Sequence, residues 1–298
     1  MRVLVFGGSG QVGSELKRII GLNDSVRFVD RLEADFTKPE MIERLTEDFQ
    51  PTHIINAVAY TAVDQAELEE SLALSVNAEA VKVIASCATR LDAMLIHYST
   101  DYVFDGSSSR PYEENDVPNP LGVYGKSKLL GEVHIKEAGC RYMILRTSWV
   151  ISATGKNFIK TILKLAKDKD QLTVVNDQIG APTSAKLIAR VTWELIQKDA
   201  QNSLSSGVYH LCSSGEASWF DVAVHAINRV INAGVLLACD PNKVAPIKTL
   251  EYLTRATRPL NSRLNSNKLE LLLAAHMPHW TAGVDGTIDE LIEKGFLK

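Results

Sequence analysis

Tyr124 and Lys128 stand four residues apart in LGVYGKSKLLGE (residues 121–132), at the start of a helical pattern. Residues at that spacing share one helical face. A lysine ammonium beside a phenol favours the phenolate and lowers its pKa, so the pair is suited to delivering a proton. An isolated Y-x-x-x-K also occurs as a plain surface pair, and its meaning depends on what else the chain brings toward it. Gly7, Gly10 and Gly13 form G-x-x-G-x-x-G directly between the apolar run RVLVF (2–6) and a helical pattern over 14–20. Such a loop combines a tight turn, close backbone approach and a helix N-terminus aimed at a pyrophosphate, with Gly8 adding freedom. The spacing departs from G-x-G-x-x-G.

Asp30 closes a second run, VRFVD (26–30), where an acid binds the ribose hydroxyls of an adenosine, or simply forms a turn. Arg31 beside it could accept a 2′-phosphate, which leaves both NADH and NADPH open. Asp35 and Phe36 read as an adenine-side contact, or as the approach to the next helix. NAVAYTAVD (56–64) and HYSTDYVF (97–104) leave the third and fourth strands. In an open α/β sheet both segments point at the ligand crevice. Ala57 and Ala59 are small enough for close approach there, and Thr100 supplies a hydroxyl.

The elements that must position these residues follow an alternating pattern. Strands are predicted over 2–6, 26–30, 53–58, 94–99 and 142–150. Helices are predicted over 14–20, over 37–49 with Thr37 as cap and Pro39 in the first turn, over 63–90 with a break near Ser75, and from about 123. This order predicts a doubly wound parallel sheet, a Rossmann-type α/β fold. Residues 1–150 would form the dinucleotide-binding domain. Residues 151–298 would form a smaller α/β substrate-binding domain, with the strand near 207–212 returning to the first sheet. In that part helices are predicted over 157–167, 185–197, 219–233 and 284–294, and a strand over 172–176. The last sixty residues otherwise read as irregular.

Composition narrows the function classes. The 298 residues are 45% hydrophobic and 23% charged, with net charge −4, which argues against nucleic acid and polybasic membrane binding. No apolar run reaches the roughly 18 residues of a membrane span, and a strand-like start leaves no room for a signal peptide. Cys87, Cys140, Cys212 and Cys239 are scattered and read as thiols of a reducing compartment, the cytoplasm. The seven histidines, His276 and His279 included, suggest no metal site.

Taken together, FGGSGQVGSEL, NAVAYTAVDQAE, HYSTDYVFDG, PLGVYGKSKLLGE, RTSWV, NDQIGAPTSA and RPLNSRLN resemble the extended short-chain dehydrogenase/reductase family acting on nucleotide sugars. Within it the chain is most similar, over essentially its whole length, to the dTDP-4-dehydrorhamnose reductases. The resemblance implies NADPH- or NADH-dependent reduction of the C4 carbonyl of dTDP-4-dehydro-6-deoxy-L-mannose to dTDP-L-rhamnose. It implies Tyr124 as proton donor, Lys128 as ribose ligand that holds the Tyr pKa down, and Thr100 as the group polarising the carbonyl. Cofactor contacts carry over to Gly10, Gln11, Val12, Asp30, Asp35, Phe36, Ala59, Tyr60, Thr61 and Tyr98. Substrate contacts carry over to Thr100, Asp101 and Trp149, with Tyr102 assigned beside them and Arg258 a candidate for the diphosphate.

The resemblance leaves rivals and departures. Related 4,6-dehydratases place Asp-Glu after the threonine, whereas here Tyr102 follows Asp101, which argues against dehydration. A nucleotide-sugar 4-epimerase would use the same Tyr–Lys pair. A non-catalytic relative serves as regulatory subunit of methionine adenosyltransferase, and intact Thr100, Tyr124 and Lys128 argue against that role. Some relatives dimerise through a magnesium ion held by carboxylates. Glu15 is kept here, but Lys186 stands where a further carboxylate is expected, so no metal is assigned and a homodimer stays open.

Overall fold

The computed structural model describes residues 1–21, 25–200 and 204–297. Its centre is a six-stranded, all-parallel sheet. Five strands come from the first half: β1 (Val3–Phe6), β2 (Val26–Val29), β3 (His53–Asn56), β4 (Met94–Thr100) and β5 (Tyr142–Thr147). The sixth, Gly207–His210, pairs with β5, giving the order Gly207–His210, β5, β4, β3, β1, β2. Every side chain of β1 and β3 is buried. That burial is the reason β1 is continuously apolar and not alternating, and the polar ends of β3, His53 and Asn56, are hydrogen-bonded.

Helices cover both faces. On one, Leu16 of α1 (Gln11–Ile20) and Leu187, Ile188, Val191 and Leu195 of the helix Ala185–Asp199 pack on Val3, Val5 and Leu145. On the other, Ile42 and Leu45 of α2 (Pro39–Phe49) join Val81, Ile84 and Ile135 over Leu4, Ile54 and Ile144. A third apolar cluster lies beyond residue 150, built on Ile159, Leu163, Val222, Ile227, Val284 and Ile288. Burying each such side chain contributes roughly 1.5–3 kcal/mol.

Several local expectations change. Thr37 does not cap α2: its N–H and hydroxyl both donate to Asp35, and the helix begins at Pro39 behind Lys38. The stretch 63–90 is two helices, Val63–Ala66 and Glu70–Arg90, the second carrying a π turn at Ser75–Glu79 where the pattern faltered. By length and hydropathy alone, Glu70–Arg90 could cross a membrane, contrary to the sequence count, but half of its most apolar window is buried in the protein. The tail is less irregular than it reads. Val244–Ile247 pairs in parallel with Leu172–Val175, Asn267–Leu273 is helical, and the last helix starts earlier, at Trp280. All four cysteines are free and buried.

Candidate active site

The glycine loop leaves β1 and docks on β2, with the N–H groups of Gly7 and Gly8 donating to the Val29 carbonyl. Gly10 precedes the first turn of α1, which begins at Gln11. A Cβ on Gly13 would stand 2.0 Å from the Gly7 carbonyl oxygen, so only glycine lets the helix lie this close to the loop. Val12 packs into the apolar layer beneath, and the Gln11 carboxamide accepts from Asn157, tying α1 to the second half of the chain.

Beside the loop opens a cavity of about 310 Å³ lined by Gly7, Gly10, Arg31, Asp35, Phe36, Ala57, Ala59 and Tyr60 among others. Seven of the residues expected at a dinucleotide, Gly7, Gly10, Arg31, Asp35, Phe36, Ala59 and Tyr60, therefore line one cavity. Asp30 is not among them. Its Oδ1 accepts the N–H of Leu32 at 2.8 Å, the turn-forming role. Arg31, exposed, is the charged side chain that reaches the cavity with Asp35. Hydrogen bonds from the Thr37 backbone and hydroxyl hold the Asp35 carboxyl below its ordinary pKa. The Phe36 ring itself is core, edge-on to Phe6.

Tyr60 is fixed twice. Its hydroxyl donates to Glu69, which pushes the phenol up to about 12. Its backbone N–H and carbonyl are both bound by the Asn77 side chain, at 2.8 and 3.1 Å. Asn77 sits in the π turn and also donates to Ser127 beside Lys128, so it links the loop after β3 to the helix carrying Tyr124. Sequence reasoning missed Asn77, although a polar residue in an otherwise apolar helix was a visible signal. Thr61 lies exposed outside the cavity lining.

Tyr124 and Lys128 stand on the helix Val123–Ala138, with Glu132 one turn further on the same face. Gly125 lets this helix approach the turn after β4, since a Cβ there would meet the Tyr102 carbonyl oxygen at 2.2 Å. Along β4 the side chains alternate. His97 and Ser99 face Lys128 and Glu132, while the Tyr98 phenol pairs with Thr192 on the other side. Of Tyr98, the carbonyl faces the site, accepting from Lys128 Nζ at 2.7 Å.

Thr100 ends β4, and its hydroxyl lies close enough to Tyr124 to draw the phenol's pKa down. Its oxygen also accepts from the Tyr102 N–H, and it lies 3.1 Å from Asp101 Oδ1. Asp101 is buried, Oδ2 has no partner, and burial pushes the carboxyl up to about 6 against hydrogen bonds from Ser262 and Thr100. The Tyr102 ring meets Tyr124 edge-on at 5.5 Å. One expectation fails here. The Tyr124 phenol is not lowered but pushed up to about 12, because burial outweighs the Thr100 hydrogen bond and the Asp101 carboxyl adds to it. Burial lowers Lys128 to about 8, against the pull of Glu132. Desolvation disfavours the charged form of both groups.

Trp149 has positive φ (49°), and its indole is stacked on Trp219 at 3.6 Å, pressed against Gly180. It therefore offers a paired aromatic surface beyond β5. Arg258 is held by Asp64 at 2.6 Å, which clamps the RPLN segment to the chain after β3. Glu15 is paired with Arg18, which reaches Glu290, itself bound by Lys294. Lys186 lines the same cavity. Carboxylates neutralised in this way do not suit a divalent cation.

Three comparisons place this architecture. The family described as RmlD substrate binding domain matches residues 1–293. The chain is 42% identical to a dTDP-4-dehydrorhamnose reductase of Escherichia coli K12 over 98% of both proteins. It is 41% identical to that of Burkholderia thailandensis over 99% of this chain and 100% of the other. Among solved structures, the Clostridium acetobutylicum dTDP-4-dehydrorhamnose reductase superposes with TM-score 0.89 at 35% identity, covering 98% of this chain and all of that one. The Bacillus anthracis enzyme, solved in complex with NADP, superposes with TM-score 0.87 at 34% identity, covering 97% and 99%. The chain belongs to the dTDP-4-dehydrorhamnose reductase family.

Proposed function

We propose that this protein reduces the C4 keto group of dTDP-4-dehydro-6-deoxy-L-mannose to give dTDP-L-rhamnose, with NADPH or NADH. The observation that carries the reading is that Thr100, at the end of β4, adjoins Tyr124, with Lys128 one turn along the same helix face and the glycine-loop cavity at the same carboxyl end of the sheet. The nicotinamide supplies the hydride when the cofactor is bound. The chain supplies the rest. Tyr124, neutral at physiological pH, is in the state needed to protonate the C4 alkoxide as it forms. Thr100 offers its hydroxyl to the same oxygen, where charge develops. Lys128 would hold the nicotinamide ribose.

The buried, unpartnered Oδ2 of Asp101 would accept a sugar hydroxyl, and the Trp149–Trp219 pair would pack on the apolar face of the deoxysugar. Residues 151–298, apart from the returning strand, would form the sugar-nucleotide lobe, with the Arg258–Asp64 clamp closing it on the cofactor lobe. Free cysteines fit a cytoplasmic setting.

Incubating the protein with enzymatically generated 4-keto sugar nucleotide tests the reading. Stoichiometric consumption of NADPH or NADH with formation of the 6-deoxyhexose is expected. Turnover without net cofactor loss would mean epimerisation. Neither would leave the chain a binding protein. In the same assay Arg31→Ala should raise the KM for NADPH several-fold more than that for NADH, because the guanidinium at the cavity meets only a 2′-phosphate. Equal changes would remove Arg31 from cofactor selection.

A further inference from the structure

Lys128 is held by a chain of contacts that starts on β3. The Val58 N–H donates to Oδ1 of Asn56 at 3.1 Å, which commits that oxygen and turns the amide nitrogen Nδ2 toward Nδ1 of His97, also at 3.1 Å. Asn56 and His97 are register partners on adjacent strands, so this meeting is built into the sheet. An amide nitrogen only donates, and Nδ1 must therefore present its lone pair. A neutral imidazole then carries its hydrogen on Nε2.

Nε2 lies 3.1 Å from Nζ of Lys128, and Nζ also donates to the Tyr98 carbonyl at 2.7 Å. His97 is 0% exposed and Lys128 1%. An ammonium would oppose the Nε2–H, donor against donor. An amine satisfies both contacts, giving one hydrogen to Tyr98 and accepting one from His97. We propose that His97 is a positioning residue, which with Asn56 seats Nζ of Lys128 against the Tyr98 carbonyl and, before any cofactor binds, favours its amine form over the ammonium.

The other groups around Nζ fit this assignment. Glu132, one turn along the helix, favours the ammonium, but its carboxylate is already paired with Arg146 and hydrogen-bonded by Ser99. Tyr124, one turn back, is a neutral phenol, and Asp101 beside it is a carboxyl pushed up by burial. From β4, His97 is held well below its ordinary pKa by burial and by Lys128 itself.

The proposal rests on reading Lys128 as part of the reductase site, but its test needs no turnover. Carbon-13 NMR of the ligand-free protein labelled at lysine Cε, with the Lys128 signal assigned by its loss in Lys128→Arg, follows protonation directly. The wild-type signal should titrate near pH 8. Asn56→Asp gives His97 a carboxylate that accepts from Nδ1–H, moving the ring's lone pair to Nε2 and making it an acceptor for an ammonium. His97→Gln can rotate its amide oxygen toward Nζ. Either variant should raise the Lys128 midpoint by about one pH unit or more, the size expected of a hydrogen bond to a charged group. A wild-type midpoint above pH 10 overturns the proposal. So does an unchanged midpoint in a folded variant. Absent reductase turnover beside a wild-type midpoint near pH 8 would sink the functional reading and leave this one standing.

Discussion

Tyr124→Phe should lower kcat by about two to four orders of magnitude, the range expected for removing a positioned general acid, while the cofactor dissociation constant stays within a few-fold. The substitution deletes one hydroxyl and keeps the ring, so the edge-on packing against Tyr102 survives. What disappears is the proton source beside Thr100. Single-turnover reduction of the 4-keto sugar, paired with fluorescence titration of NADPH, separates the two effects. The pH dependence has a definite sign. A phenol near 12 stays protonated through the neutral range, so Tyr124 should not produce an alkaline limb for reduction below about pH 10. Near-wild-type turnover in the variant would remove Tyr124 from the chemistry.

The second large effect is on stability, behind the site. Glu132 is fully buried, and its carboxylate accepts from Arg146 Nε at 2.8 Å, Arg146 Nη2 at 2.7 Å and Ser99 at 2.6 Å. Arg146 is also buried, lying over the Phe104 ring, with Nη1 unpartnered. Glu132→Ala would leave that guanidinium uncompensated between the sheet and the helix Val123–Ala138, at a cost of roughly 3–5 kcal/mol. Urea unfolding followed by tryptophan fluorescence would read it. Replacing both partners by apolar residues, Glu132→Leu with Arg146→Met, should recover most of the loss, because no buried charge remains. The hydrogen bonds and charge of Arg146 hold the Glu132 carboxyl below its ordinary pKa despite burial. Its contribution is therefore fully present above the unfolded pKa and lost as pH falls through the lower folded value. A loss under about 1 kcal/mol in the single variant, typical of a surface pair, would show that the pair does not anchor this helix.

Much of this was legible in one dimension, for reasons that are local. Continuous apolar runs separated by amphipathic helices have few ways to bury themselves, so the parallel sheet and the glycine turn followed from pattern. Tyr124 and Lys128 were singled out because helical spacing is a property of sequence. Thr100 was singled out because a strand's carboxyl end opens on the crevice. Side-chain protonation was not legible. Lys128 meets His97 and the Tyr98 carbonyl, and Tyr124 meets Thr100, so both sit in a low dielectric that no spacing rule reports. The i, i+4 argument treated the pair as though in water. The Asn56–His97–Lys128 relay and the Asn77 clamp join residues 17 to 50 positions apart, brought together only by strand register and helix docking. Trp149 against Trp219 is the same case, since their contact depends on how the second half folds back. Sequence by itself determined the elements and the candidate side chains they carry, because backbone preference and apolar periodicity act over a few residues. Tertiary structure alone decided their charge states and partners, because desolvation and hydrogen bonding depend on every element packed around the group.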